Sequence, residues 1–104
     1  MSDFRTVARF DDVPEGELVG VVVGGEAIVL VNRDGRIYAL QDRCSHEEFP
    51  LSSGEIAAGE ITCVLHGARF DIETGQPRAL PAVLPVRTYE TRVEGDEIQV
   101  KLDG

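Results

Sequence analysis

Ile61-Thr62-Cys63-Val64-Leu65-His66-Gly67-Ala68-Arg69-Phe70-Asp71-Ile72 is the stretch on which the reading of this chain turns. Ile61 to Val64 and Ala68 to Ile72 predict two short strands, rich in apolar and β-branched residues. The segment between them must turn tightly. That turn carries a thiol and an imidazole three residues apart, Cys63 and His66. Gly67 follows directly, where a missing side chain lets backbone come close to whatever the pair binds. Upstream, Cys44-Ser45-His46 offers the same two groups two residues apart, so in an extended segment both point to one side. Sixteen residues separate His46 from Cys63, and these four positions hold every cysteine and histidine of the 104-residue chain. Nothing is left for another such metal site, a disulfide framework or a histidine-based triad.

Two such loops pressed together supply two sulfurs to one iron and two nitrogens to another. This is the donor set of a [2Fe-2S] centre in which two histidines replace two cysteines on one iron. A single buried Cys is usually a small hydrophobe, and a single His is usually a hydrogen-bonded structural residue. The four together, in this order and in two turn-like loops, favour ligation. A Cys44–Cys63 disulfide leaves both histidines unexplained. A structural zinc module is chemically allowed, but zinc-finger spacing groups cysteines and histidines separately. Two thiolates and two neutral imidazoles leave an oxidised binuclear centre formally neutral, whereas four thiolates leave it two charges more negative. Histidine ligation therefore makes reduction easier, and the two rings are expected to titrate as a coupled pair, so that the potential falls at alkaline pH.

Outward from these loops the pattern is β throughout. Phe4 to Phe10, Leu18 to Val23, Ala27 to Asn32, Arg36 to Gln41, Val86 to Val93 and Ile98 to Leu102 read as further strands. In the last of them Ile98, Val100 and Leu102 face one way and Gln99 and Lys101 the other. Asn32-Arg33-Asp34-Gly35 and Glu94-Gly95-Asp96 are hairpin turns by composition. Asp11-Asp12-Val13-Pro14 can start one short turn, and no segment carries a helical stripe. Arg43 to Gly59 is a long irregular connection, and Glu73 to Pro85, with Gly75, Pro77, Pro81 and Pro85, a stiff loop. Short strands punctuated by Gly and Pro predict an all-β fold, a small antiparallel sandwich or barrel.

The length is that of one domain with a modest core. Lys and Arg number 10 against 19 Asp and Glu, for a net charge of −9 spread evenly along the chain. That makes nucleic acid and anionic membranes poor partners; it suits a partner with a basic docking surface or serves only to keep a small protein soluble. Glu47 and Glu48 are candidates for that contact, within a rim that includes Arg43, Glu55 and Arg69. No apolar stretch has the length of a membrane span, and Met1-Ser2-Asp3-Phe4-Arg5 lacks the start of a secretory signal. A cytoplasmic location is expected.

The spacing Cys44-x-His46, sixteen residues, Cys63-x-x-His66 resembles that of the Rieske family, and specifically its small soluble ferredoxins. Leu51-Ser52-Ser53-Gly54, His66-Gly67-Ala68-Arg69-Phe70-Asp71, Thr74-Gly75 and Leu80-Pro81 extend the likeness over nearly the whole chain. The resemblance implies one domain of two parts. A β-sandwich base carries a cluster-binding subdomain, residues 43 to about 83, capped by a proline loop near Pro81. It implies a single [2Fe-2S] cluster held by Cys44, His46, Cys63 and His66, the sulfurs on the inner iron and the rings near the protein tip. It also implies a monomeric electron carrier without a catalytic site, taking electrons from a flavin-dependent ferredoxin reductase to a terminal oxygenase or other redox enzyme. Small subunits of assimilatory nitrite reductase and ferredoxins of other redox systems share the pattern. Departures from it are an absent second cysteine pair, Val64 where proline is frequent, and Glu47 where glycine is frequent. Ala68 and Phe70 stand where respiratory relatives place a serine and a tyrosine that donate to cluster sulfur. The expectation is a potential toward the low end of the family range.

Overall fold

The structure, a computed structural model, describes residues 4–43, 50–63, 68–79 and 85–102. Ten strands follow in order: β1 (Phe4–Arg9), β2 (Leu18–Val23), β3 (Glu26–Arg33), β4 (Arg36–Gln41), β5 (Glu55–Ala57), β6 (Glu60–Thr62), β7 (Arg69–Asp71), β8 (Pro77–Ala79), β9 (Thr88–Glu94) and β10 (Glu97–Lys101). Six form an antiparallel sheet in the order β1-β10-β9-β4-β3-β2, and β5-β6-β7-β8 form a second, smaller one. Edge strands β1 and β2 approach each other, so the larger sheet nearly closes on itself. The all-β expectation holds.

Strand β3 explains how the two parts share one molecule. Ile28, Val29, Leu30 and Val31 are all without exposed surface, because both faces of this central strand are covered. Ile28 and Leu30 point into the larger sheet's own core with Val13, Ile37, Ala39, Tyr89, Ile98 and Val100. Val29 and Val31 point the other way, with Leu40, against Leu51, Ile61, Cys63, Ala68, Phe70, Ile72 and Val86. A run of apolar residues, rather than alternation, is what such a two-sided strand requires. The small sheet is thus seated on the outer face of β3 and β4 by a core of its own.

Buried Asn32 closes the end of β3. Its side chain donates to the Val13 carbonyl at 2.8 Å and accepts from the Gly35 amide at 3.0 Å. Both sequence-predicted hairpin turns are present, joining β3 to β4 through Asp34 and Gly35 at φ 56° and 84°, and β9 to β10 through Gly95 at φ 63°. Phe10–Asp12 forms one 3₁₀ turn.

Two regions expected to be irregular hold regular structure. The connection from Arg43 to Gly59 contains a 3₁₀ turn, Leu51–Ser53, and strand β5. The loop from Glu73 to Pro85 contains β8, which begins at Pro77. Strands of three residues are too short to show a period. Pro77 is tolerated because β8 is an edge strand and proline is its first residue. The strand expected from Ile61 to Val64 ends at Thr62, and that expected from Val86 begins only at Thr88. Val86 gives its amide to the Gly75 carbonyl at 2.9 Å instead of to the larger sheet. Among the described residues no helix is long and apolar enough to cross a membrane.

Candidate metal centre

Of the four sequence-predicted ligands the structure places Cys63. Cys44, His46 and His66 lie outside the described residues, as do Glu47, Glu48, Phe49, Val64, Leu65, Gly67 and Pro81. What the structure does describe is how the segments carrying them are anchored.

Pairing across the small sheet aligns Glu55 with Thr62, Thr62 with Arg69 and Arg69 with Ala79. This row is one end of the sheet. Segment 64–67 connects Cys63 to Ala68 beside it, and segment 80–84 follows Ala79 from it. Ala79 thus lies at the same end as the residues on either side of segment 64–67, whereas Val86, after segment 80–84, is bonded to Gly75 in the β7–β8 turn at the opposite end. Glu55 and Arg69, in the row itself, are exposed, and Arg43, just beyond β4, is exposed as well; the Arg69 guanidinium pairs with Glu60 at 3.4 Å.

Each flank is fastened by a specific contact. The Cys63 amide donates to the Ala68 carbonyl at 2.7 Å and so closes the connection through His66. Cys63 itself has no exposed surface and packs in the apolar core with Leu51, Ala68 and Phe70. Leu51 is a core residue. Before the first ligand loop, the Asp42 amide donates to the Ala27 carbonyl at 2.9 Å. The Asp42 carboxylate accepts from the Ser52 amide at 2.6 Å and from the Ser52 hydroxyl at 2.7 Å. Gly54, next in the return, lies so close to β6 that a Cβ there would overlap the Thr62 carbonyl oxygen. The chain between Leu51 and β5 is thereby pressed against β6 one residue before Cys63.

The third flank rests on Gly75. Its φ of 75° is left-handed, a Cβ would overlap the Val86 carbonyl oxygen, and its amide donates to the Asp71 carbonyl at 2.8 Å. The Gln41 amide donates to the Arg87 carbonyl at 2.7 Å, joining the residues before segment 44–49 to those after segment 80–84. The sequence marks none of Asp42, Gly54 or Gly75 as a site residue, although Gly54 and Gly75 stand in the family-like text. Their importance lies in what they face across the fold.

Asp71 organises the turn between β7 and β8. Arg78 donates to its carboxylate at 2.9 Å, and the amides of Glu73 and Thr74 donate at 2.8 and 3.1 Å. The Arg78 hydrogen bond above all, then the two amides, hold its pKa below the usual 3.8 against an opposing effect of burial. Because the native value is the lower one, the carboxylate stabilises the fold above the ordinary value. That contribution fades as pH falls through the native value. Asp71→Asn is expected to weaken the protein at neutral pH and to approach the parent in strong acid. Urea unfolding of both at several pH values measures the difference.

A fully buried thiol directly after β6, on a connection closed by the Cys63–Ala68 backbone bond, fits one of the two thiolates of a two-thiolate, two-imidazole set. Among the described residues no group of three or more His, Cys, Asp or Glu side chains offers another metal site.

Comparison with known proteins agrees with this geometry. Residues 3–90 match the Rieske [2Fe-2S] domain. The ferredoxin component of biphenyl 2,3-dioxygenase from Rhodococcus jostii (strain RHA1) is 40% identical over 93 residues, 89% of this chain and 87% of that protein. The solved ferredoxin of carbazole 1,9a-dioxygenase from Nocardioides aromaticivorans IC177 is 40% identical, with a TM-score of 0.92 over 96% of this chain and 98% of that one. A chain in a complex of reduced oxygenase and oxidized ferredoxin in carbazole 1,9a-dioxygenase superposes with a TM-score of 0.88 at 27% identity, over 97% and 94% of the two chains.

Proposed function

This chain belongs to the Rieske [2Fe-2S] domain family, and from that premise we propose that it is the ferredoxin of an aromatic-ring-hydroxylating oxygenase system, carrying single electrons to the terminal oxygenase. It is an electron-transfer component and not itself a catalyst. Cys44, His46, Cys63 and His66 hold the cluster, with the two sulfurs on the inner iron. Residues 43 to about 83 act as the cluster-binding subdomain and the rest as its base. The electron donor is a flavin-dependent reductase, and the chain works as a monomer.

The observation that supports this reading is fully buried Cys63 directly after β6, its amide bonded to the Ala68 carbonyl across the four residues that include His66. When bound, the cluster supplies a one-electron couple. The protein's part is to hold it still and to set its surroundings. Core packing around Cys63 keeps water from that side of the site. The 2.7 Å bond from Cys63 to Ala68 fixes the turn without a movable side chain. The net charge of −9 speeds encounter with a basic partner surface, most at low salt.

The potential follows from the side chains beside the turn. Ala68 and Phe70 are fully buried next to Cys63, and neither side chain has an N–H or O–H to donate. Donors to sulfur stabilise the reduced, more negative state, so their absence lowers the potential. A redox titration is expected to fall nearer the −150 mV than the +300 mV end of the roughly −150 to +300 mV family range. Electron paramagnetic resonance of the reduced protein, with iron analysis, tests the cluster itself. Oxygen-dependent turnover by a terminal oxygenase, supported only when this chain is present, tests the carrier role. A colourless zinc protein would remove the proposal.

A further inference from the structure

We infer that Asp42, Ser52 and Gly20 form a latch that positions the first ligand loop, an inference that rests on the cluster reading above. Both carboxylate oxygens of Asp42 are engaged by one residue, Oδ1 by the Ser52 amide at 2.6 Å and Oδ2 by the Ser52 hydroxyl at 2.7 Å. A two-point grip to a charged group fixes direction as well as distance. The segment it closes, residues 43–51, contains Cys44 and His46, half of the ligand set. Asp42 is a firm end for the latch, because its amide is bonded to the Ala27 carbonyl of β3 at 2.9 Å. Ser52 is equally firm, since it sits in the 3₁₀ turn whose first residue, Leu51, is fully buried.

Gly20 of β2 provides the floor. A Cβ there would stand 2.8 Å from the Ser52 hydroxyl oxygen, 2.9 Å from Asp42 Oδ2 and 3.0 Å from Ser52 Cβ. Its φ is not left-handed, so what glycine provides here is space: an added Cβ would have to push the Asp42 carboxylate and the Ser52 side chain out of their present positions. Three residues from separate stretches of the chain thus build one contact. A loop held shut at both ends has fewer conformations to give up when its ligands close on metal. The latch therefore acts on the metal through Cys44 and His46, without touching it.

The test uses the cluster-loaded protein and three variants, Ser52→Ala, Asp42→Asn and Gly20→Ala, with Ser52→Thr as the conservative replacement. Iron release to a chelator, the paramagnetic resonance spectrum of the reduced protein and thermal unfolding are measured on each. Loss of a hydrogen bond to a charged group predicts iron release about tenfold faster in each of the three, with an altered spectrum. Ser52→Thr, which keeps the hydroxyl, restores both. The Gly20→Ala, Ser52→Ala double variant is expected to be no faster than the single ones, since all break one contact. Variants that melt earlier yet release iron at the parental rate, with the parental spectrum, would overturn the latch and leave the cluster assignment standing. A parent protein without a [2Fe-2S] signal would instead remove the cluster assignment, and the latch with it.

Discussion

Gly54→Ala is expected to cost this protein most of its cluster and a large part of its stability. The backbone at Gly54, φ −92° and ψ −157°, is one that any residue adopts. The requirement is purely one of space. An added methyl would overlap the Thr62 carbonyl oxygen and stand 3.1 Å from the Leu51 carbonyl oxygen. Neither can step aside cheaply. Thr62 is held in register between Glu55 and Arg69, and Leu51 is fully buried in the core beneath the small sheet. Overpacking against such a backbone costs about 3 kcal/mol, a large share of the roughly 5–15 kcal/mol available to a small domain. Thermal unfolding is expected to drop by roughly 10 to 20 °C. Iron per chain falls with it, because any relaxation moves the peptide that precedes Cys63. An alanine variant with the parental melting temperature and iron content would mean that the two segments are not in close contact.

Cys63→Ser separates ligation from folding. Cys63 is fully buried in the core with Ala68 and Phe70, and serine nearly matches its shape. The buried hydroxyl costs about 1–3 kcal/mol, which a domain of this kind survives. The thiolate, however, has no substitute. The variant is expected to keep its β-rich circular dichroism, to purify colourless with iron near zero, and to lose electron delivery to an oxygenase by about 100-fold or more. Iron analysis and spectroscopy of the reduced protein decide it. Full iron with an unchanged spectrum would show that Cys63 is not a ligand.

Much of the fold is legible in local stretches of sequence. Ile98 and Val100 against Gln99 and Lys101, and the Asp34-Gly35 turn, are signals of this kind. Strands β2 and β4 fall where the apolar pattern puts them. The misses share a cause. Strand β5 holds Ile56 as its one large apolar residue, and β8 starts on proline. Each exists because a neighbour pairs with it. Val86 is apolar and β-branched, yet it leaves the larger sheet to bond Gly75 across the second core. A propensity cannot see which partner wins.

The candidate site divides along the same line. Two Cys/His pairs sixteen residues apart favour a binuclear iron centre over a disulfide or a zinc module, because donor type and local spacing are properties of the chain alone. Sequence also determined the all-β class and the acidic surface. Tertiary structure decided which backbone atoms crowd Gly54 and Gly75, and that Asp42, Ser52 and Gly20 meet. It also set the row from Glu55 to Ala79 at one end of the small sheet. These depend on register between strands and on the space left between two packed sheets, quantities that no single stretch of residues contains.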